Sequence, residues 1–573
     1  MKLAGTVLKV IIILFFLAAG VVSAETDSLL NLTIIHLNDT HSYIDGSKED
    51  IKLPRFGHVV VNIGEAGALA TKIAQIRKGV RHSLFLHAGD MAQGTLYYNE
   101  FASKLNVCVF NYMDLEVFAT GNHEFDRKPE GYAEFLKGIL FPVVTANADF
   151  TNDKHLNGFI KPYVIKEYDG QRVGIIGLIT EETPKISFSG EDVQFLDNIQ
   201  TAQRYINELL QVGVNNIILL THIGYDEDKA LAQSITGADI IIGGHSHTLL
   251  GEEFRALGLS PEGAYPTVIK DKGGANVLIV QAWKWGKVLG VIDVGFDKGG
   301  NVTKYKARPV MVTTEPFFNK MNEPLGALDT QLVRKEIAEN PLIELTVSDY
   351  GLTDYLKPYR EKVRGFSENV IGWAKEKLIH IYVPTPANPT GSQVATVVTD
   401  AMLWKTRLLY GDVSIALQNA GGIRADIELG NMTEAQVKSI LPFKNTLYTF
   451  ELTGKEIKTV LEQALNHTFQ SSSTYGSFPY VSGVRYYAKT NVDKTVNITA
   501  IDIDSNGQWT PLSPSKTYTL VTNSYIARGK DGYDLFKGKN NGKDTGLLDS
   551  TVFTEYVKYK GKIELGRQHV FLQ

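Results

Sequence analysis

The sequence predicts an α/β protein with two domains, and three observations support this. Between residue 32 and about residue 300, short apolar runs rich in β-branched residues alternate with helical stretches, as is typical of an α/β sheet. Five of these runs end in loops that contain Asp, Asn or His. A second series of helix and strand runs begins near residue 367, and 573 residues suffice for two sizeable domains at roughly 100–200 residues each.

The predicted elements of the first half follow from this alternation. The first strand covers residues 32–37, and further strands are predicted at 83–87, 117–120, 143–146, 173–178, 216–220, 239–242 and 277–282. Two of the intervening helices are predicted at 67–78 and 201–210. In the second half, helix and strand runs are predicted at 397–409, 413–417, 434–440, 447–452 and 455–465.

The N-terminus has the pattern of a secretory signal peptide. Lys2 and Lys9 flank the start of an apolar run over residues 10–19, and the small residues Ser23 and Ala24 follow it. Because the run is short, we predict a signal peptide over residues 1–24; an uncut signal anchor is the alternative. No cysteine follows the run, which argues against a lipoprotein anchor. We therefore expect an exported protein, periplasmic or extracellular, with no stable membrane anchor after signal cleavage.

Net charge, cysteine content and glycosylation sequons indicate which partners, disulfides and cellular origin to expect. The net charge of -5 and the lack of basic runs argue against nucleic acid as a partner. The single cysteine, Cys108, excludes an intramolecular disulfide and is interpreted as a small buried hydrophobic residue. A glycan at Asn38 would obstruct the neighbouring Asp39, which favours a bacterial envelope over a eukaryotic route. The N-x-S/T sequons are at Asn31, Asn38, Asn301, Asn431, Asn466 and Asn497.

Metal-capable side chains follow the predicted strands at the ends where α/β sheets collect ligands. Asp39 and His41 are two residues apart, so both can face the same side of an extended loop. The set is sufficient for two adjacent divalent ions, Zn, Mn or Co, with Asp90 as the bridge. Its members are Asp39, His41, Asp90, Asn122, His222, His245 and His247.

Two members of this set also have structural interpretations. Asp90 could cap a helix that continues through residues 91–101. His222 could be a core histidine whose ring is satisfied by a backbone group. Because five separate loops each supply a metal-capable residue, metal binding is favoured over these structural interpretations.

His123 and Asp126 form a candidate acid–base pair beside the metal set. If a helical turn starts near Asn122, the two side chains are neighbours at i and i+3. The carboxylate would then orient the imidazole and raise its pKa, which keeps a proton available for a developing oxyanion. The alternative is that Asp126 is an ordinary acid at the start of a helix.

Five ordered motifs resemble the signature of the 5′-nucleotidase family, which comprises secreted calcineurin-like metallophosphoesterases. They are Asn38-Asp39-x-His41, Gly89-Asp90-x-x-Gln93-Gly94-Thr95, Gly121-Asn122-His123-Glu124-Phe125-Asp126, Thr221-His222 and Gly243-Gly244-His245-Ser246-His247. The resemblance implies a four-layer α/β/β/α metal domain, a linker helix and a smaller α/β substrate domain, with hinge rotation between them. The corresponding boundaries are 25–345, 346–366 and 367–573, and residues 354–363 with Pro358 are the candidate linker helix. His247 departs from well-known members, which have Gln or Asn there.

The resemblance also implies a nucleotide pocket in the second half. Asn419 would contact the base, Arg424 the phosphate, and Asp531 the ribose hydroxyls, while Phe443 and Tyr525 would clamp the base. The alternative is that the two aromatic residues are ordinary core side chains. Family members carry further arginines before the helix at 397–409, but residues 384–393 contain no basic residue. We expect this departure to affect the substrate range more than the reaction.

We therefore predict a dimetal phosphohydrolase of nucleotides, with nucleoside 5′-monophosphates as the first substrate class. Apyrase, UDP-sugar hydrolase and 2′,3′-cyclic nucleotide hydrolase activities are the alternatives. A sulfur-compound hydrolase is more distant, because it should depart from the intact Asn122-His123-Glu124-Phe125-Asp126 motif. The non-enzymatic alternative is a nucleotide-binding or adhesion protein on a retired phosphatase scaffold, but no ligand is missing. The sequence leaves the oligomeric state open.

Overall fold

The computed structural model describes residues 29–386, 388–470, 475–491, 493–505, 507–567 and 569–572, with nothing said of the side chain at 367. The predicted signal peptide, residues 1–24, lies outside the described residues. Within the described part of the chain, no helix is both long and apolar enough to cross a membrane.

From residue 29 to the start of the long connecting helix, the described residues form nineteen strands and eight α-helices. The strands are β1 (Leu30–Leu37), β2 (Asp45–Leu53), β3 (Gly57–Glu65), β4 (Ser83–His87), β5 (Val117–Ala119), β6 (Val143–Val144), β7 (Ala148–Asp149), β8 (Ile160–Lys161), β9 (Tyr163–Tyr168), β10 (Gln171–Ile179), β11 (Gln194–Phe195), β12 (Asn216–His222), β13 (Ile240–Gly243), β14 (Thr267–Lys270), β15 (Asn276–Gln281), β16 (Gly290–Phe296), β17 (Val302–Ala307), β18 (Met311–Phe318) and β19 (Ile343–Leu345). The helices are α1 (Ala66–Lys78), α2 (Leu96–Phe101), α3 (Lys104–Tyr112), α4 (Lys128–Gly138), α5 (Thr183–Ile186), α6 (Asn198–Gln211), α7 (Tyr225–Ser234) and α8 (Ala327–Ala338). Short 3₁₀ helices lie at Asn122–Phe125 and Glu252–Leu257.

The second half follows a long connecting helix, α9 (Tyr350–Glu368). Its strands are β20 (Val370–Ala374), β21 (Ile415–Asn419), β22 (Gly430–Thr433), β23 (Thr446–Thr453), β24 (Pro479–Ser482), β25 (Val484–Thr490), β26 (Val496–Ser505), β27 (Gln508–Pro511), β28 (Thr517–Asn523), β29 (Lys543–Leu548), β30 (Lys562–Ile563) and β31 (Val570–Leu572). Its helices are α10 (Gln393–Tyr410), α11 (Glu434–Ile440), α12 (Gly454–Gln470), α13 (Asp534–Lys537) and α14 (Asp549–Lys560).

Two large sheets face each other in the first half, in the orders β17-β16-β1-β4-β5-β6-β8 and β14-β15-β13-β12-β10-β9. Successive strand residues point to opposite faces, so Ile34 lies in the cluster that includes Ile218 and Ile240 on the facing side of the second sheet. Ile35 packs on the other face, in the cluster that includes Leu69 of α1. With α1, α3 and α4 outside the first sheet and α6 and α7 outside the second, this confirms the predicted α/β/β/α layers.

The second half has its own core around the sheet β24-β21-β28-β23-β29. Helices α10 and α12 bury apolar residues against it, including Val398 and Leu461. Because each half has its own core, the sequence pattern predicts two domains.

Helix α9 differs from the predicted linker helix at both ends. It starts at Tyr350 because Asp349 caps it by accepting the N–H of Leu352 (2.8 Å), and it continues through Pro358. Leu352 and Leu356 are buried in the first half. The first turns of α9 are therefore fixed to the metal domain.

The structure also contradicts the alternative interpretation of Asp90 as a helix cap and the prediction that Cys108 is buried. Residues 91–101 are not one helix: α2 starts at Leu96, with Thr95 as its cap, because the N–H groups of Met91 and Ala92 donate to Glu124 instead. Cys108 is only partly buried, and its sulfur accepts a hydrogen bond from Tyr355 (3.0 Å).

Candidate active site

The metal-capable loops converge at the carboxyl ends of neighbouring strands. Strands β1, β4 and β5 are parallel neighbours in the first sheet, and β12 and β13 are parallel neighbours in the second. Their ends therefore meet at one edge of the two facing sheets. The structure brings the predicted His and Asp ligands together as two groups, Asp39, His41 and His247, and Asp90, His222 and His245.

Asp90 connects the two groups, and Asn122 contacts the second of them. Asn122 Oδ1 lies 3.2 Å from His222 Nε2 and 3.0 Å from His245 Nδ1. Asp90 Oδ2 lies 3.1 Å from His222 Nε2 and 3.8 Å from His41 Nε2. One carboxylate oxygen thus faces both groups, as a bridging ligand would.

Close packing and unusual backbone shape these loops. A Cβ on Gly121 would lie 2.2 Å from Asp90 Oδ1, so only glycine fits there. Positive φ angles, which are rare outside glycine, occur at many of the ligand positions. They are found at Asp39 (48°), His41 (45°), Asp90 (60°), His245 (76°) and His247 (57°).

The contacts of His222 test whether a cation fits. His222 donates its Nδ1–H to the carbonyl of Ala88 (2.7 Å), so a neutral ring presents a bare lone pair at Nε2. The two atoms that face this nitrogen, from Asp90 and Asn122, are acceptors too. Burial alone would lower the pKa of His222, but Asp90 raises it to about 10, so positive charge is strongly attracted here.

The remaining histidines suit metal ligation because their rings are neutral. His41 donates its Nδ1–H to Ala92 (2.9 Å), which leaves Nε2 to face His247. Burial lowers the pKa of His41 to about 3 and that of His245 to about 3. Neutral imidazole nitrogens with carboxylate and amide oxygens form a donor set for divalent metal ions. The residues present therefore fit divalent metals at two adjacent positions.

Asn38 holds Asp39 in place and is itself inaccessible. Its side-chain amide donates to Asp39 Oδ2 (2.8 Å) and to the Trp283 carbonyl (2.7 Å), and its oxygen accepts the N–H of Ala282 (2.7 Å). The side chain is fully buried. The folded site has no room for a glycan on this residue.

His123 lies beside the metal groups but belongs to neither. Its Nδ1–H donates to Asp126 Oδ2 (2.7 Å), in the 3₁₀ turn that starts at Asn122, so the i, i+3 contact forms as expected. Burial would lower the pKa of His123, but Asp126 and Asp90 raise it. Since Nδ1 is engaged, Nε2 is the nitrogen available to a substrate.

A cavity of about 520 Å³ joins this centre to the second half of the chain. The cavity is lined by Asp90, His245 and His247 of the metal groups, by the His123–Asp126 pair, and by all five residues predicted to hold a nucleotide: Asn419, Arg424, Phe443, Tyr525 and Asp531. Phe443 stacks on His123 with ring centroids 6.3 Å apart, and the Arg424 guanidinium lies 5.8 Å from the Phe443 centroid. Asn419 donates to Asp531 (2.8 Å). Phe443 and Tyr525 are partly buried and both line the cavity, and Tyr525 also packs against the core of the second half.

Sequence reasoning missed the structural role of Glu124. Its buried carboxylate accepts four backbone N–H groups, from Gly121 (2.7 Å) and from Asp90, Met91 and Ala92 (each 3.0 Å). The residue is visible in the Gly121–Asp126 motif, but its partners in another loop are not. Glu124 therefore ties the Asp90 loop to the Asn122 loop.

We predict that Glu124→Gln destabilises the site, because an amide NH₂ would face two N–H donors. Each buried N–H left without an acceptor costs about 1–3 kcal/mol. The expected result is a lower thermal midpoint and lower metal occupancy, measured by calorimetry and elemental analysis. Glu336→Gln is the matched control, since this buried glutamate accepts one backbone N–H, from Arg55 (2.9 Å). An equal shift in both variants would contradict the role assigned to Glu124.

Lys284 was also missed. It lies close enough to Arg424 and Asp39 for electrostatic interaction, and its ammonium lies 4.3 Å from the Trp285 ring centroid. Burial, followed by the charges of Lys287 and Arg424, lowers the pKa of Lys284 to about 8. The site thus has a cation near Arg424 that comes from the first domain.

Two family descriptions match the chain. Residues 32–249 match "Calcineurin-like phosphoesterase" and residues 370–538 match "5'-nucleotidase, C-terminal domain". The first match includes the metal ligands, and the second includes all five residues predicted to hold a nucleotide.

Curated relatives and a solved structure are similar over nearly the whole length. A probable 5′-nucleotidase of Treponema pallidum is 34% identical, over 92% of this chain and 91% of its own length. The NAD 5′-nucleotidase of Haemophilus influenzae is 33% identical, over 93% and 91%. The crystal structure of a 5′-nucleotidase precursor from Thermus thermophilus has a TM-score of 0.82 and 36% identity, covering 95% of this chain and 99% of that one.

Proposed function

The chain belongs to the 5′-nucleotidase family, and from this premise we propose that it releases phosphate from nucleoside 5′-monophosphates. It is a metal-dependent phosphoesterase, and the relatives named above act on nucleotides by name. One observation supports the choice of substrate. A single cavity of about 520 Å³ is lined both by members of the two metal groups, His247 of the first and Asp90 and His245 of the second, and by the five candidate nucleotide-binding residues.

The metal end would bind the phosphate group. Asp39, His41 and His247 would hold one divalent ion, and Asp90, His222 and His245 the other, with Asn122 beside them. When bound, such ions neutralise phosphoryl oxygens and activate water for in-line attack. We propose Zn, Mn or Co, because the donors are mixed nitrogen and oxygen.

His123 would stabilise the phosphoryl oxygens directly. Asp126 fixes its ring through Nδ1 (2.7 Å), so that Nε2–H donates to the oxygen on which charge develops. Phe443, stacked on the same ring, would then bring a bound nucleoside next to this donor.

The nucleoside would be held by the second domain. Asp531 would accept bonds from the ribose hydroxyls, and Asn419, which orients Asp531, would contact the base. Phe443 and Tyr525 would offer aromatic faces for stacking, at about 1–3 kcal/mol per base. Arg424 would bind the phosphate, and Lys284 is close enough to add charge.

A second candidate substrate is a dinucleotide. The relative from Haemophilus influenzae is named an NAD 5′-nucleotidase, and Lys284, close enough to Arg424 for electrostatic interaction, would add positive charge near a longer phosphate chain. A phosphate-release assay with AMP, ATP, UDP-glucose, cyclic nucleotides and NAD, each with Mn, Zn, Co and Mg, tests the proposal. Phosphate release from AMP at the highest kcat/KM is expected, and no release from any nucleotide would refute it.

Export and domain limits remain proposals as well. We propose that residues 1–24 direct the chain out of the cytoplasm, to the periplasm or the exterior of a bacterial cell. We also propose that the metal domain covers residues 25–345, the linker-helix region 346–366 and the substrate domain 367–573. N-terminal sequencing of the secreted protein would test the first proposal, and limited proteolysis the second.

We predict that Arg424→Ala weakens binding of a nucleoside monophosphate. A guanidinium–phosphate contact contributes roughly 1.5–3 kcal/mol, so kcat/KM for AMP should fall at least ~10-fold, mostly through KM. Lys284→Gln should give a smaller loss, since this side chain is near the site without lining the cavity. Steady-state kinetics on AMP measure both. An unchanged kcat/KM in Arg424→Ala would mean that the phosphate is held elsewhere.

A further inference from the structure

Residues 183–188, here called the bridging segment, form part of the cavity wall between the metal end and the nucleoside end. The segment contains the short helix α5, and Ile186 and Phe188 line the cavity. Its start is tied to the metal end, because Thr183 donates to the Thr180 carbonyl (2.7 Å) and the Thr180 N–H donates to the His222 carbonyl (2.9 Å). The segment comes from the first domain.

One end of the bridging segment holds the acid–base pair. Ser187 Oγ donates to Asp126 Oδ1 (3.2 Å), while Asp126 Oδ2 accepts from His123 Nδ1 (2.7 Å). Ser187 is fully buried, and its own N–H donates to the Thr183 carbonyl (2.9 Å). Both carboxylate oxygens of Asp126 are thus engaged, which fixes the rotation of the carboxylate that orients His123.

The other side of the segment holds the nucleoside loop of the second domain. The Pro184 carbonyl accepts from the Lys530 ammonium (2.6 Å). The Lys185 carbonyl accepts from the Tyr525 hydroxyl (3.4 Å) and from the Asp531 N–H (3.3 Å). Tyr525 and Asp531 are the residues proposed to hold the base and the ribose. The segment therefore contacts both the acid–base pair and the candidate nucleoside-binding residues.

We propose that the bridging segment couples occupancy of the nucleoside site to the geometry of the His123–Asp126 pair, with Ser187 as the positioning residue for Asp126. This inference rests on the proposed function for the identity of the nucleoside. A nucleotide that orders the loop around Tyr525 and Asp531 orders the carbonyls of Pro184 and Lys185. The serine that follows then holds Asp126 in its active orientation. A phosphate ester without a nucleoside keeps the Ser187–Asp126 hydrogen bond but lacks the additional ordering through Pro184 and Lys185.

The first test is Ser187→Ala, assayed on AMP and on p-nitrophenyl phosphate. Loss of one hydrogen bond to a carboxylate should lower kcat roughly 10-fold for both substrates, with KM for AMP changed by less than about 2-fold. Ser187→Thr keeps the hydroxyl and should restore kcat. Ser189→Ala is the matched control, because Ser189 is equally buried and no described hydrogen bond joins its side chain to Asp126. Unchanged kcat in Ser187→Ala would overturn the positioning role.

Folding is checked by metal content and thermal midpoint. If Ser187→Ala does not fold, Ser187→Cys replaces it, since a thiol of similar size is a weak donor and should also lower kcat. Wild-type kcat in a folded Ser187→Cys would count against the positioning role as well.

The second test is a double-mutant cycle with Lys530→Met, which removes the ammonium contact to Pro184 and keeps an unbranched apolar chain. Lys530→Met should lower kcat for AMP and leave p-nitrophenyl phosphate hydrolysis unchanged. In the Ser187→Ala background it should have little further effect on kcat for AMP, because coupled residues are not additive. Independent, multiplying effects would overturn the coupling. If the wild type hydrolyses p-nitrophenyl phosphate but no nucleotide, the proposed function and the coupling are both refuted. The kcat of Ser187→Ala on p-nitrophenyl phosphate would still test whether Ser187 positions Asp126.

Discussion

Asp90→Asn is expected to reduce phosphate release from AMP by about 10³-fold or more. The substitution keeps the shape of the side chain but removes the negative charge that faces both metal groups. Loss of metal-based charge stabilisation costs several kcal/mol in the transition state, and each 1.36 kcal/mol is a factor of ten in rate. Metal content, measured by elemental analysis, should fall as well.

The control for this variant is Asp239→Asn. Asp239 immediately precedes β13, at the end of that strand away from the site, and accepts the Ile217 N–H (2.7 Å), a contact that asparagine can keep. The Asp239→Asn variant should therefore retain activity. Dialysis of the wild type against a chelator should abolish hydrolysis, and added Mn or Zn should restore it. Full activity and full metal content in Asp90→Asn would show that the carboxylate is not a ligand.

His123→Ala is expected to lower kcat by about 10²–10⁴-fold, the range for loss of a positioned proton donor. Metal content should be unchanged, because the ring belongs to neither metal group. Asp126→Asn should have a smaller effect, since Asp126 acts through His123. Steady-state kinetics and elemental analysis on the same preparations separate the two roles. If His123→Ala loses metal, His123 is a ligand and its assignment as a donor is wrong.

The fold class was predictable because its signals are local. Apolar runs such as 83–87 mark strands, and the parallel arrangement brings residues far apart in sequence, such as Asp39 and His222, to one edge. Strand limits were less predictable. The strand at 143–146 ends at Val144 because the Ala146 N–H donates to Gly177 in the other sheet, a contact that no local pattern encodes.

The candidate ligands were identifiable for the same reason, while their supports were not. Asp90 and His123 are of residue types that suggest chemistry wherever they occur in a loop. Glu124 and Ser187 act by accepting from or donating to partners that are distant in sequence. Their roles depend on tertiary contacts between loops and could be found only from the folded structure. The position of Lys284 beside Arg424, across the two domains, is of the same kind.

The left-handed backbone at the ligand positions changes how substitutions there should be interpreted. Alanine at a position such as Asp39 or His247 loses the ligand and keeps the unfavourable φ, without the local hydrogen bonding that helps Asp or Asn adopt it. Glycine loses the same ligand but adopts that φ freely. An alanine scan would therefore exaggerate the loss of stability at these positions. The difference between paired alanine and glycine variants, once the greater freedom of glycine in the unfolded chain is subtracted, would instead measure the conformational energy that the protein invests in presenting its ligands.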